Sequence, residues 1–332
     1  MKIGITYDLK DERPPSSNLP DDFQEEFDSP GTISAIEAEL RALGHGVVML
    51  GDGRKMLEQI LLNPPDFVFN IAEGEGVGRS REARVPAVLE MLGIPYTGSD
   101  PLTLSVTLDK ECAKRLVASH GLTVPPGVLL HPDDKEMDPG AILLRYPLIV
   151  KPAWEGSSKG IRGKCVADKP EELRSIVPEM LRAYRQPILV EEYIEGDELT
   201  VGMVGNENPE LVGIMRVVPV QPTGRFVYGV EVKRDYLKQV RYECPAPIGS
   251  AAAAVERAAR QAFKILGCRD VARLDFRLRD GIPYFLEVNP LPGLNPVSGD
   301  LVIMARLVGW DYPRLLRTIL QAALDRQGDC EN

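Results

Sequence analysis

Along the chain the spacing of apolar residues switches repeatedly between strand-like and helix-like, and the switches set out the elements. Residues 3–7 form an apolar run of strand length, after which residues 11–30 are rich in Asp, Glu, Pro and Ser and are expected to form a surface loop or lid. Ser29-Pro30 then signals a helix to about residue 43, with Ile33, Ile36, Leu40 and Leu43 on one face and Gly44 at its end. A strand at 47–50, a helix at 54–62 and a buried strand at 66–70 follow. This alternation predicts a parallel sheet covered by helices, an open α/β unit spanning residues 1–98. A glycine-rich stretch, Glu73-Gly74-Glu75-Gly76-Val77-Gly78, leads into a helix at about 81–92. Its glycines lack the spacing of a dinucleotide fingerprint. A loop feeding a helix N-terminus could still present backbone N–H groups to an anion.

Residues 94–101 are turn-rich and mark a boundary, and helices are predicted at 101–106 and 109–120. A strand at 148–151, a Gly/Ser loop over 152–160, a strand at 164–166 and a helix at 170–184 complete a second unit, 99–186. The third unit, 187–332, begins with an apolar strand ending in Glu191-Glu192-Tyr193-Ile194. Strands follow at 198–204, 211–217 and 225–230, then a polar, basic, mobile loop at 231–242 and an Ala-rich helix at 250–266. Helices at 299–307 and 312–323 close the chain.

Between the last long helix and those two lies a stretch with strict period-two alternation on both sides of Asp280-Gly281, which predicts a β-hairpin. Ala272, Leu274, Phe276 and Leu278 share one face and Arg273, Asp275, Arg277 and Arg279 the other. On the second strand Tyr284, Leu286 and Val288 oppose Phe285, Glu287 and Asn289. A two-residue turn would pair Asp275 with Leu286 and mix the faces. A three-residue loop ending at Ile282 pairs Arg279 with Pro283, Asp275 with Glu287 and Arg273 with Asn289, and is the expected register. Two carboxylates and an amide oxygen then converge beside an arginine, a set of hard oxygen ligands suited to Mg²⁺. Taken alone, the same face also reads as the solvated side of an antiparallel sheet.

Composition narrows the classes. The 332 residues are 44% hydrophobic and 27% charged, as in an ordinary soluble enzyme or binding protein. A formal charge of −10 argues against nucleic-acid and anionic-membrane partners, which need basic surfaces. Five scattered cysteines with no C-x-x-C indicate a reducing compartment and neither structural zinc nor a disulfide framework. No apolar run approaches the roughly 18 residues of a membrane span. The start, Met1-Lys2, runs directly into a strand and not into a secretory signal, so a cytoplasmic protein is expected.

Two further stretches suggest nucleotide chemistry. In Val150-Lys151-Pro152-Ala153-Trp154-Glu155-Gly156-Ser157-Ser158-Lys159-Gly160, a lysine ends a buried strand and small residues follow, so backbone N–H groups can approach phosphate oxygens and the loop can close. A solvated hairpin turn has the same composition. Backbone groups near Glu191 could read an adenine edge while Glu198 takes ribose hydroxyls; a charged strand end is the alternative.

In order along residues 66–320 stand Asn70-Ile71-Ala72-Glu73-Gly74, Pro95-Tyr96-Thr97-Gly98-Ser99, Asp109-Lys110, Val150-Lys151-Pro152 with Glu155-Gly156-Ser157-Ser158, and Val190-Glu191 with Gly196 and Glu198. Lys233, Cys244-Pro245-Ala246, Arg273-Leu274-Asp275 and Glu287-Val288-Asn289 with Pro292-Gly293 follow. This series resembles the D-alanine–D-alanine ligases of the ATP-grasp superfamily. The resemblance implies a three-domain fold, α/β and α+β, with an N-terminal parallel pre-ATP-grasp domain and ATP held between two lobes. It implies that Lys110 and Lys151 contact nucleotide phosphates, and that Ser157 and Ser158 belong to the lid. Glu191 and Tyr193 would flank the adenine and Glu198 would hold the ribose. Asp275, Glu287 and Asn289 would hold two Mg²⁺ ions, or Mn²⁺. Arg273 would stabilise an oxyanion, Ser298 would sit by a substrate carboxylate, and Lys233 would close over the site on its mobile loop. The implied reaction joins a small amino acid or carboxylic acid to an amine through an acyl phosphate, and a homodimer is what the family suggests.

Three departures fall at the substrate end. The family's N-terminal G-G-x-S-x-E type motif, whose glutamate holds the first substrate's ammonium, is absent; Glu73 replaces a histidine; and Arg234 replaces a tyrosine in the mobile loop. The expectation is that Glu73, with Asp8, supplies the missing ammonium partner and that Arg234 suits an extra negative charge. Glu73 also reads as a plain loop carboxylate. The product would be D-Ala-D-Ala or a related dipeptide. A lapsed ATP-binding regulator and an ATP-grasp phosphotransferase are the alternatives to a ligase.

Overall fold

In the computed structural model, which describes residues 1–11, 19–134, 138–221 and 224–330, three sheets carry the chain. The first is parallel and three-stranded, β1 (Lys2–Thr6) lying between β2 (Gly46–Met49) and β3 (Phe67–Asn70). Helix α1 (Pro30–Ala42) connects the first two strands and α2 (Gly53–Leu62) the next two. Helix α1 starts as its sequence predicts: Ser29 Oγ accepts from Thr32 N at 3.2 Å and Pro30 occupies the first turn. Its apolar stripe, Ile33, Ile36 and Leu40, is buried against the C-terminal helices named below. Helix α3 (Arg84–Met91) follows the glycine-rich stretch.

Helices α4 (Pro101–Leu108) and α5 (Lys110–Ser119) lie between the first sheet and the second. The second sheet is antiparallel, with β4 (Gly127–Leu130), β5 (Leu148–Pro152), β6 (Val166–Ala167) and β7 (Ile188–Glu192) in the order β4-β7-β5-β6. Helix α6 (Pro170–Tyr184) covers it through Leu173, Val177 and Tyr184. The third sheet contains β8 (Asp197–Val204), β9 (Glu210–Pro219), β10 (Val240–Glu243), β11 (Val271–Arg279) and β12 (Ile282–Asn289), ordered β10-β9-β8-β11-β12. Short helices α7 (Val230–Arg234) and α8 (Tyr236–Gln239) precede β10. Helices α9 (Ala251–Ile265), α10 (Asp300–Leu307) and α11 (Tyr312–Cys330) pack on this sheet. Ala113 and Val117 of α5 share the core of α9 and β11, so α5 is built onto the third sheet and not the second.

The hairpin β11–β12 reaches the expected pairing by another route. Its turn has two residues, Asp280 and Gly281, at φ 54° and 78°, the left-handed conformations of a tight primed turn. Arg279 therefore pairs with Ile282 and not with Pro283, which corrects the three-residue loop. The register then shifts between Asp275 and Phe276, leaving Leu286 as an extra residue in a β-bulge. Beyond the bulge Asp275 pairs with Glu287 and Arg273 with Asn289, as expected. The bulge also regroups the second strand: Phe285 and Val288 both enter the core, Phe285 meeting Phe276 edge-on at 5.8 Å.

Three other expectations change. Residues 231–242 are not one loop: they carry α7, α8 and most of β10. Residues 225–229 form no strand, and Val230 starts α7; carbonyls of this stretch are taken by side chains. Phe226 O accepts from Tyr193 Oη at 2.6 Å and from Arg277, and Tyr228 O accepts from Ser158 Oγ at 2.8 Å. The acidic N-terminal stretch, of which residues 12–18 lie outside the described residues, is not a loose surface loop over 20–28: Asp22 is fully buried and Glu26 and Phe27 nearly so. It forms a strap across the Gly/Ser loop.

Candidate active site

The site lies where the three sheets meet and has two chambers. The smaller, about 70 Å³, lies between β5 and β7 on one side and β8, β11 and β12 on the other. The larger, about 390 Å³, opens toward the first sheet. Tyr228, Lys233, Glu287 and Asp300 border both.

The polar face of the hairpin forms the floor between them. Arg273 Nη2 lies 3.0 Å from Asp275 Oδ2, and Asn289 Nδ2 lies 3.3 Å from the same oxygen. Thr200 Oγ1 donates to Asp275 Oδ1 at 3.0 Å. Lys110, at the start of α5, reaches Glu287 at 3.2 Å and donates to the carbonyl of Glu155. Burial alone would raise the Glu287 carboxyl, but Lys110 and Lys151 outweigh it and hold it at about 2. Burial raises Asp275, with Arg273 opposing and Glu287 adding to the rise. Two ionisable oxygen donors and an amide oxygen thus stand on one surface at the edge of a cavity.

In the smaller chamber Lys151 Nζ is 2.5 Å from Glu191 Oε1, and Lys114 pairs with the other oxygen of Glu191. Sequence reading missed Lys114, one helical turn beyond Lys110. Burial brings its ammonium down to about 7, against the pull of Glu191. Glu198 Oε2 lies 2.7 Å from Arg277 Nη2, and burial raises its carboxyl. Arg277 also stacks 5.0 Å from the Tyr193 ring. Glu191, Tyr193 and Glu198 are therefore brought together with Lys151, as the sequence led us to expect.

Ser157 and Ser158 carry φ of 47° and 61°, left-handed conformations that cost a non-glycine residue energy and recur at binding loops. Ser157 borders the larger chamber, and Ser158 anchors the loop to Tyr228. Lys233 sits in α7, 5.0 Å over the Tyr228 ring and 4.0 Å from Asp300. Asp300 is another residue the sequence did not single out. At the N-terminus of α10 it lies 3.5 Å from Arg273 and accepts from Tyr228 Oη at 2.9 Å. The spacing Ser298-Gly299-Asp300 before a helix was the available signal.

At the substrate end, Glu73 borders the larger chamber. Asp8 does not face the chamber with it: its Oδ2 accepts from the backbone N–H groups of Glu73 and Gly74, each at 2.8 Å, and so fixes that loop. Ser298 is exposed at the chamber rim, its N–H held by Asn295 Oδ1 at 3.0 Å. Arg234 borders the chamber but spends its guanidinium on the strap, 2.8 Å from Asp21 and 2.6 Å from Glu25. Glu26 of the strap accepts from Gly156 N, from Lys159 at 3.0 Å and from the buried Arg81 at 2.7 Å. Asp22 accepts from Gly160 N at 2.9 Å. Acidic side chains from the N-terminal region therefore occupy the outer N–H groups of the Gly/Ser loop.

Comparison with known proteins agrees with this geometry. Residues 116–321 match the family model described as D-ala D-ala ligase C-terminus. The chain is 34% identical over 299 residues to the uncharacterized protein y4sG of Sinorhizobium fredii, covering 87% of this chain and 86% of that one. It is 38% identical over 237 residues to the D-alanine–D-alanine ligase of Ralstonia nicotianae, covering 70% and 68%. The crystal structure of the Bacillus anthracis D-alanine–D-alanine ligase superposes with a TM-score of 0.76 at 26% identity, over 99% of both chains. A second structure of that enzyme, complexed with ATP, gives 0.74 at 24%. Among the described residues no helix is long and apolar enough to cross a membrane. The matched family model, the relatives and the three-sheet architecture agree: the chain belongs to the D-alanine–D-alanine ligase family of ATP-grasp carbon–nitrogen ligases.

Proposed function

We propose that the chain uses ATP to join two small amino acids, or a carboxylic acid and an amino acid, in a dipeptide-like amide through an acyl phosphate. The observation that carries this reading is that Arg273, Glu287 and Asn289 line the larger chamber with Lys110 and Ser157, while Asp275 and Ser158, from the same hairpin and loop, line the smaller one. Phosphoryl transfer asks the protein for charge neutralisation and alignment more than for covalent help. Lys110 and Lys151 supply positive charge, and the strained serine loop supplies backbone N–H groups. Tyr193 and Glu191 border the adenine and Glu198 takes the ribose.

Among the described residues no group of three or more His, Cys, Asp and Glu is placed to hold a metal ion. The donor set here is two carboxylates and an amide. That set suits Mg²⁺, which keeps part of its shell for phosphate oxygens and water. Asp275, Glu287 and Asn289 are the residues that would hold it, and bound Mg²⁺ would neutralise phosphate charge. After transfer, the amine attacks the acyl phosphate and phosphate leaves. Arg273 donates to the oxyanion that develops on the carbonyl, and closure of the Lys233 segment keeps water from the intermediate. Glu73 receives the ammonium of the first substrate and Ser298 stands by the carboxylate of the second. Arg234 holds the strap.

A phosphate-release assay with D- and L-amino acids, singly and in pairs, tests the reading. Release dependent on a pair supports it. ADP formation with a stable phosphorylated product and no free phosphate would make the protein a phosphotransferase, and no turnover with any acceptor would leave a nucleotide binder. For the ammonium assignment, Glu73→Gln should raise KM for the first substrate; an unchanged KM for every substrate would remove Glu73 from that role.

A further inference from the structure

The far end of the larger chamber carries more carboxyl groups than its own cations pair. Glu82, only 7% exposed, borders the larger chamber, as Glu73 does. Among the described residues neither forms an ion pair. The neighbouring cations are committed elsewhere. Arg81 places its guanidinium on Glu26 at 2.7 Å and on the carbonyl of Trp154 at 2.6 Å. Lys159 lies between Glu26 and Glu155. In that group two cations match two carboxylates, and Glu73 and Glu82 remain over. A protein seldom buries an ionisable group that nothing pairs, because desolvation of the unpaired charge is costly.

We infer that this end of the chamber selects a first substrate with two cationic groups, a diamino acid whose α-ammonium and side-chain ammonium meet Glu73 and Glu82. The inference rests on the ligase reading above and names its substrate class. One ammonium compensates only one of the two carboxylates, and the other must then take a proton. Two ammonium groups compensate both. The chamber's volume, about 390 Å³, falls within the usual range for ligand pockets of roughly 300–1,000 Å³, so a side chain longer than a methyl group has room. Burial raises both carboxyl groups, Glu82 to about 7, and a cationic side chain arriving there would favour their charged forms. Acidic amino acids meet like charge at the same place.

The test compares kcat/KM for phosphate release with ornithine, lysine and diaminobutyrate against norvaline, norleucine and aminobutyrate, in both configurations. Calorimetry measures binding of the same compounds to the full chain with a nonhydrolysable ATP analogue. A preference of about tenfold or more for the diamino acids, worth about 1.4 kcal/mol, is expected, with aspartate and glutamate the poorest. In Glu82→Gln that ratio should fall toward one, with a thermal melt reporting whether the variant is folded. Neutral pairs that turn over as well as the diamino acids would overturn the inference and leave the ligase reading standing. Diamino acids that bind selectively while no pair releases phosphate would do the reverse.

Discussion

The two ends of the active site use the same residue type to opposite effect. On the hairpin floor and on the facing strand β7 each of these acidic side chains has a cation at hand: Arg273 at Asp275, Lys110 at Glu287, Lys151 and Lys114 at Glu191. At the far wall of the larger chamber Glu73 and Glu82 have each other. Both sets are withdrawn from water, so burial pushes every one of these carboxyls upward. At Glu287 two lysines reverse the push and hold it at about 2, whereas Glu82 stays at about 7. Partner placement, not burial, decides which carboxylates are charged at neutral pH. The floor carries paired charge, and the far wall carries two carboxyl groups without an ion pair among the described residues.

The largest effect that bears on this contrast is at Arg273. Arg273→Met should lower kcat about 10²–10³-fold, as loss of an oxyanion donor does elsewhere, checked by steady-state kinetics beside a thermal melt that reads the cost of leaving Asp275 and Asp300 without this cation. A change confined to KM would move Arg273 from the reacting centre to binding. Next comes the buried pair Arg81–Glu26, which keeps the strap's charge matched. Arg81→Met leaves Glu26 buried without its closest cation and should cost about 3–5 kcal/mol in urea unfolding.

The pH dependence of stability sharpens the comparison further. Asp8 sits at about 6, and Asp28 and Glu82 at about 7, all raised chiefly by burial. A raised carboxyl stabilises the fold while it is protonated. That contribution is full below the ordinary carboxylate range and is lost as pH rises through 6 to 7. The unliganded protein should therefore lose stability between pH 5 and pH 8, on the order of 2–3 kcal/mol from Glu82 alone, and Glu82→Gln should flatten the curve. A profile that is flat in the wild type would break the contrast between the two ends. The smallest effect belongs to Arg234, which is partly exposed. Arg234→Gln should cost about 1 kcal/mol or less in unfolding, vanishing at high salt, because its partners Asp21 and Glu25 are screened.

How much of this was legible in the sequence depended on distance along the chain. Period-two alternation carried the hairpin's faces, and cap chemistry at Ser29-Pro30 carried the start of α1, because both signals are local. The strand expected at 225–230 does not form, and carbonyls it would offer to a ladder go instead to Ser158, Tyr193 and Arg277. The strap was expected only as a surface loop or lid, and its partners were not foreseen. Its acidic composition suggested solvent, yet Glu26 meets Arg81 across 55 residues and Lys159 across 133, and no local pattern records such meetings. Of the site residues, those at strand ends were readable. Lys114, Glu82 and Asp300 were not, since each sits in an ordinary helical or loop context and gains its character from what folds against it.

The bulge at Leu286 acts as a phase corrector. A tight turn at Asp280-Gly281 and a face shared by Asp275 and Glu287 have incompatible parity, and one unpaired residue reconciles them. Shape at the tip and chemistry at the base can then change independently, provided the count between them keeps its parity. Deleting Leu286 would remove the bulge and leave Phe285 opposite Phe276 and Glu287 opposite Asp275 in an unbroken ladder, so the bulge is what lets the strand carry one residue more than the tight turn allows.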